Sequence, residues 1–175
     1  MKFLSVTSSA PIRAAFAAAA LLILSTSAAQ AAAPSAFDRI LDPYEAVRTA
    51  LTEDHTRGVA EQAEEIRTVL ADLAKNPTAA KAGVPAARVD EVKALLPELT
   101  QAARALSEAT TLGAARKAFY ELSKPLIRYR SLVSGERPVV AYCPMAKRSW
   151  LQSEGDLGNP YHGAAMLTCG EVVDG

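Results

Sequence analysis

Five residues of types able to hold a soft metal ion fall in one short segment near the C-terminus, YCPMAKRSWLQSEGDLGNPYHGAAMLTCG at residues 142–170. The segment contains both cysteines, two of the three methionines and the only tryptophan of the 175-residue chain. Met145 stands two positions after Cys143, Met166 three positions before Cys169, and His162 lies between the clusters. Thiolate and thioether donors together select copper(I) above other ions, and imidazole is compatible with it. Closing the intervening loop costs little more entropy than closing one half as long, so the two clusters can converge. The expected ligands are the thiolates of Cys143 and Cys169 and the thioethers of Met145 and Met166, with His162 as a fourth or exchange ligand.

The same residues admit other readings. An even cysteine count in an exported chain is the mark of a disulfide, so a Cys143–Cys169 bridge stapling the segment is the alternative to a metal site. The methionines are also natural fillers of irregular core gaps. His162, in NPYHG, can be a turn residue, and His55 stands at a helix start, where it serves as a surface side chain rather than a ligand. Trp150 and the tyrosines are expected to pack the segment against the rest of the molecule, with a lesser role for an aromatic face over a bound cation.

Catalytic chemistry finds little support, and no enzyme is expected. There is no C-x-x-C for dithiol redox catalysis and no G-x-S-x-G, H-E-x-x-H or phosphate-binding glycine loop. Glu61, Glu64 and Glu65 lack the Glu-x-x-His partners of a helical di-iron site and are expected to form a solvated face. Nineteen basic residues balance nineteen acidic ones without a basic stripe, so a nucleic-acid partner has no electrostatic basis.

The N-terminus points to the compartment. Lys2 and Arg13, the apolar run AAFAAAALLIL at residues 14–24, and SAAQA at residues 27–31 read as a secretory signal peptide cut after Ala31. The run is short of the about 20 apolar residues that a membrane-spanning helix needs. The expected mature protein therefore has no membrane span and resides in a bacterial periplasm.

Four apolar stripes with alternating three- and four-residue steps must carry the sulfur-rich segment. Phe37, Ile40, Tyr44, Val47 and Leu51 form the first, and Val59, Ala63, Ile66, Leu70 and Leu73 the second. Val89, Val92, Leu96, Leu99, Ala103 and Leu106 form the third, and Leu112, Ala115, Phe119, Leu122, Leu126, Tyr129 and Val133 the fourth. Amphipathic helices with single stripes bury them against one another, so the expected fold is all-α, an antiparallel four-helix bundle with a loop-rich C-terminal tail folded back on it. Asp54 is expected to cap the second helix, and Thr110 or Thr111 the fourth. Residues 76–85 are expected to form a long loop, and Pro97 and Pro125 to bend or restart their helices. The chain thus divides into a signal peptide at 1–31, a bundle at 32–133 and a motif-bearing tail at 134–175.

The pattern AYCPMA, SWLQ and NPYHGAAMLTCGEV, preceded by RKAFYELSKPLI at residues 116–127, resembles an exported bacterial family built around a domain of unknown function. Its members occur alone or fused to the C-terminal end of periplasmic adaptor subunits of heavy-metal RND efflux systems. The resemblance runs from about Tyr44 to Val172. It implies a helical bundle with a motif-bearing tail and a role in copper or heavy-metal handling. The partners it implies are RND-type heavy-metal efflux components or another periplasmic metal carrier.

Overall fold

The computed structural model describes Met1, Lys2 and residues 33–174. The expected signal peptide and its cleavage site lie outside the described residues, save for Met1 and Lys2. Among the described residues no helix is long and apolar enough to cross a membrane.

The polypeptide is mostly helical. Four long helices, α1 (Ala36–Thr52), α2 (Val59–Lys75), α4 (Val89–Ser107) and α5 (Leu112–Arg130), share one core, and a single-turn helix α3 (Ala79–Ala82) lies between the second and third of these. α1 packs on α2, α2 on α4, α4 on α5, and α5 returns to α1. Each stripe predicted from the spacing is turned inward, with Val89, Leu112 and Val133 only partly covered at its ends. Ile40, Leu70, Leu99, Leu122 and Leu126 are wholly excluded from solvent. Burying a leucine or isoleucine side chain stabilises the fold by about 1.5–3 kcal/mol, so the stripes are the main source of stability.

The helix ends follow local chemistry, with two corrections. Thr111 caps α5 as expected, its hydroxyl accepting the Ala114 amide at 3.2 Å. Ser35 and Asp38 form a capping box on α1. Asp54 does not cap α2; that helix starts after Gly58, which has a positive φ of 79° and makes no side-chain cap. Asp54 itself sits at φ 59° with its carboxylate turned to the C-terminal tail. The expected long loop at 76–85 contains α3, because Thr78 accepts the Lys81 amide and starts a turn that Gly83 ends at φ 71°. α4 and α5 do not restart at Pro97 or Pro125, and α1 runs through Pro43 in the same way.

The largest correction concerns the tail, which is not a loop packed on an all-α protein. It forms a three-stranded antiparallel sheet of β1 (Val139–Cys143), β2 (Arg148–Gln152) and β3 (Glu171–Asp174), in the order β2-β1-β3. β1 pairs with β2 from Val139 opposite Gln152 to Cys143 opposite Arg148, and with β3 around Ala141 opposite Val172. As the central strand, β1 is covered along nearly its whole length, so VVAYC shows a short apolar run instead of the alternation that marks a half-buried strand.

The sheet is tied to the helices through β2 and α5. The Leu151 amide donates to the Tyr44 hydroxyl at 3.1 Å, Tyr44 donates to Ser123 Oγ at 2.7 Å, and Ser123 donates to the Phe119 carbonyl at 2.8 Å. This buried relay joins α1, α5 and β2 and leaves none of its hydroxyls unpaired, which removes the usual cost of enclosing polar atoms. Burial raises the Tyr44 phenol far above its ordinary value, so it stays a protonated donor.

Candidate metal and thiol centre

Cys143 ends the central strand β1, and Cys169 lies just before β3. Their sulfurs are 3.2 Å apart, although 26 positions separate them in the chain. Gly170 makes the approach possible. Its φ is 150°, and a Cβ there would meet the Trp150 ring at 2.9 Å and the Tyr142 carbonyl at 3.0 Å. Only a residue without a side chain lets the strand pass so close to β1 at this point.

The two sulfurs are not equivalent. Cys143 is fully buried and Cys169 half-buried. Burial pushes the Cys143 thiol up, but the donors around it outweigh burial and hold it below the ordinary thiol value. Those donors are the Ala146 amide at 3.3 Å, the Cys169 thiol, the Asn159 side-chain amide and the Met145 amide. The hydrogen bond that Cys169 gives to Cys143, with burial, raises Cys169. Of the two sulfurs, Cys143 is therefore the one whose thiolate the surroundings favour, in a cradle formed by the turn after β1.

The other expected ligands are distributed around this pair. Met145 lies in the turn between β1 and β2 with its side chain 68% exposed, so it is not a core filler. Met166 ends the short 3-10 turn Gly163–Met166, and its carbonyl accepts the Cys169 amide at 3.0 Å. His162 stands at the start of that turn, half-buried, with Nε2 enclosed and lacking a hydrogen-bond partner among the described residues. His55 bonds Glu53 at 3.0 Å. Among the described residues no three His, Cys, Asp or Glu side chains converge as a ligand set. The fold brings together the two cysteines; Met145 lies on the turn after Cys143, and His162 and Met166 bound the turn that precedes Cys169.

Several residues outside the expected ligand set hold this arrangement. Asn159 is wholly buried and organises the tail: its side-chain amide donates to the Cys169 carbonyl at 2.8 Å, and its Oδ1 accepts the Tyr161 amide at 2.8 Å. Arg116 of α5 donates to the Pro160 carbonyl at 2.8 Å and the Leu51 carbonyl at 2.9 Å, and pairs with Asp54 at 2.6 Å. Asp54 in turn accepts the Ala164 amide at 3.0 Å. A Cβ on Gly163 would come within 2.1 Å of Asp54 Oδ1, so the NPYHG turn needs its glycine for this latch. Arg48 of α1 anchors the Gly158 carbonyl at 2.8 Å. Trp150 packs edge-on against Tyr161, and its indole N–H is satisfied by Gln152 at 2.9 Å.

The Asp54 latch has a pH signature. The Arg116 guanidinium and then the Ala164 amide hold its carboxyl below the ordinary value of 3.8. A carboxyl lowered on folding stabilises the native state above its unfolded pKa and loses that contribution as pH falls through the folded value. Asp54→Asn removes the charge while tolerating the positive φ. The expected result is a lower unfolding midpoint for the variant from neutral pH down to about pH 4, and convergence with wild type below that. A gap that stays constant down to pH 2 would contradict the ion pair.

Residues 40–136 match the family described as Protein of unknown function (DUF3347). The matched span runs from within α1 through α5 and ends before β1, so the cysteine-bearing sheet lies beyond it. No curated protein and no solved structure matches the chain.

Proposed function

The chain belongs to the DUF3347 family, and we propose that it is a soft-metal binding protein of the bacterial periplasm that takes up copper(I) on Cys143 and Cys169. The helices, read as an antiparallel four-helix bundle, serve as the platform, and the protein buffers the ion or passes it on in heavy-metal homeostasis or efflux. The observation that carries this reading is the meeting of two soft sulfurs from distant segments at 3.2 Å, with backbone amides favouring the thiolate on one of them.

The donor set fits such an ion. With thiolate–metal bonds of about 2.3 Å, two sulfurs sharing one metal stand about 4 Å apart, so the pair needs to part by less than about 1 Å. Cys143 would supply the buried anionic ligand and Cys169 the accessible one. Met145, exposed on the turn after Cys143, would receive or release the ion, and Met166 and His162, whose Nε2 has no partner among the described residues, lie on the turn before Cys169. That asymmetry suits delivery to RND-type efflux components or to another periplasmic carrier. The test is titration of the reduced protein with Cu(I) against a competing chelator. Uptake of one equivalent with thiolate-to-metal absorption is expected, and absence of uptake would overturn the proposal.

The short sulfur contact also favours a second reading, in which the same pair closes as a disulfide that staples β3 to β1 in an envelope interaction module without metal. Bridged cysteines in protein taken directly from the envelope, combined with no Cu(I) uptake after reduction, would select it.

A further inference from the structure

We infer that Cys143 and Cys169 form a reversible dithiol–disulfide exchange couple with a fixed order of events, in which Cys169 receives the partner's sulfur and Cys143 closes the internal bond. The proposal uses the two sulfurs invoked above but needs no metal, and it differs from a permanent staple because it assigns each cysteine a separate step.

The argument begins with access. Cys143 pairs with β2, receives the amide of the turn after β1 and has no exposed surface, whereas Cys169 is only half-buried, two positions after the exposed Leu167. An external disulfide can therefore reach Cys169 and not Cys143. Hydrogen bonding favours the other sulfur. The Ala146 amide faces Cys143 Sγ at 3.3 Å, so the sulfur better able to act as an internal nucleophile is the one that outsiders cannot touch. The third element is proximity, since at 3.2 Å Cys143 already lies against the sulfur it must attack.

The chemistry balances with a low-molecular-weight disulfide, R–S–S–R, as oxidant. Cys169 loses its thiol proton to solvent and attacks one sulfur of R–S–S–R, forming a Cys169–S–S–R bond and releasing R–S⁻, which takes up a proton. Cys143 then loses its thiol proton to solvent and its thiolate attacks Cys169 Sγ, the Cys169–S–R bond breaks, and the second R–S⁻ leaves and is protonated. Two protein thiols have given up two electrons and two protons, and the oxidant has become two R–SH. A reducing dithiol runs the steps backwards.

The first step is slow, because an external disulfide must reach a half-buried sulfur, and the second is fast, because the nucleophile is already in place at 3.2 Å. The wild-type protein should thus pass through the mixed disulfide without accumulating it. Trp150 gives a local readout, since its ring lies against Gly170, next to Cys169, and it is the only tryptophan in the chain.

The experiment uses the full exported chain, reduced and freed of metal with a chelator, and oxidised glutathione as probe, followed by Trp150 fluorescence and by mass after acid quench. Wild type is expected to end as an internal disulfide with no glutathione attached. Cys143→Ser should retain one glutathione per chain, and Cys169→Ser should capture it at least about tenfold more slowly, because its remaining thiol is buried. Cys143→Ala serves as a second variant that keeps the site apolar, and it should behave as Cys143→Ser does. Equal capture by the two single-cysteine proteins, lasting glutathionylation of wild type, or failure of wild type to oxidise would each overturn the proposal. With metal removed throughout, none of these outcomes depends on copper binding, and a failed Cu(I) titration leaves the exchange result standing.

Discussion

Replacing Cys143 or Cys169 by serine is expected to lower the affinity of the reduced protein for Cu(I) by about a hundredfold or more, because a soft thiolate is exchanged for a hard hydroxyl that the ion does not favour. A hundredfold loss corresponds to about 2.8 kcal/mol of binding free energy, large enough to read by chelator competition. The two variants should differ in their side effects. Cys143 is buried with a backbone amide directed at its sulfur, so Cys143→Ser also perturbs the turn that carries Met145. Cys169 is half-exposed, and Cys169→Ser should leave stability nearly unchanged. Met145→Leu and Met166→Leu provide the graded comparison. Leucine matches methionine in volume, and such swaps cost less than about 1.5 kcal/mol even in cores. Met145 is exposed, so any weakening of Cu(I) binding in Met145→Leu reports the lost thioether and not a damaged fold. If both cysteine variants bind Cu(I) as tightly as wild type, the ligand assignment is wrong.

Phe119→Ala is expected to be the most destabilising single change in the helices, at about 3–5 kcal/mol. Its ring is wholly buried, stacks on Tyr44 at 4.7 Å and meets Tyr161 at 6.2 Å, so it touches α1 and the tail together. The Phe119 carbonyl also receives the Ser123 hydroxyl at the end of the buried relay from Leu151. Leu99→Ala, in α4, should cost about 2–5 kcal/mol by cavity formation alone. The comparison separates two effects. Both variants should show a lower denaturant midpoint, but only Phe119→Ala should alter Trp150 emission in the folded protein, because Tyr161 lies between Phe119 and Trp150. A Phe119→Ala protein that unfolds within about 1 kcal/mol of wild type would show that the sheet is not coupled to the helices as described.

What the sequence by itself determined was the set of helix faces. Phe37, Ile40, Tyr44, Val47 and Leu51 lie on one side of α1 because a helix turns every 3.6 residues, a property of neighbouring dihedral angles that needs no distant partner. The same locality made the Thr111 cap legible, since its hydroxyl bonds an amide three residues on. Asp54 shows where that reasoning stops. Its type and position suit a cap for α2, yet its carboxylate is claimed by Arg116 and by the Ala164 amide, the latter 110 positions away. The tail was decided in the same manner. VVAYC has too few residues to display a period, and it becomes the middle strand only because RSWLQ and EVVD arrive on either side of it. The spacing of Cys143 and Cys169 allowed them to meet but did not require it. Their 3.2 Å contact depends on Gly170 slipping beneath the Trp150 ring and on Asn159 holding the Cys169 carbonyl. Both are long-range hydrogen-bonding and packing choices, set by residues that only the tertiary fold brings together.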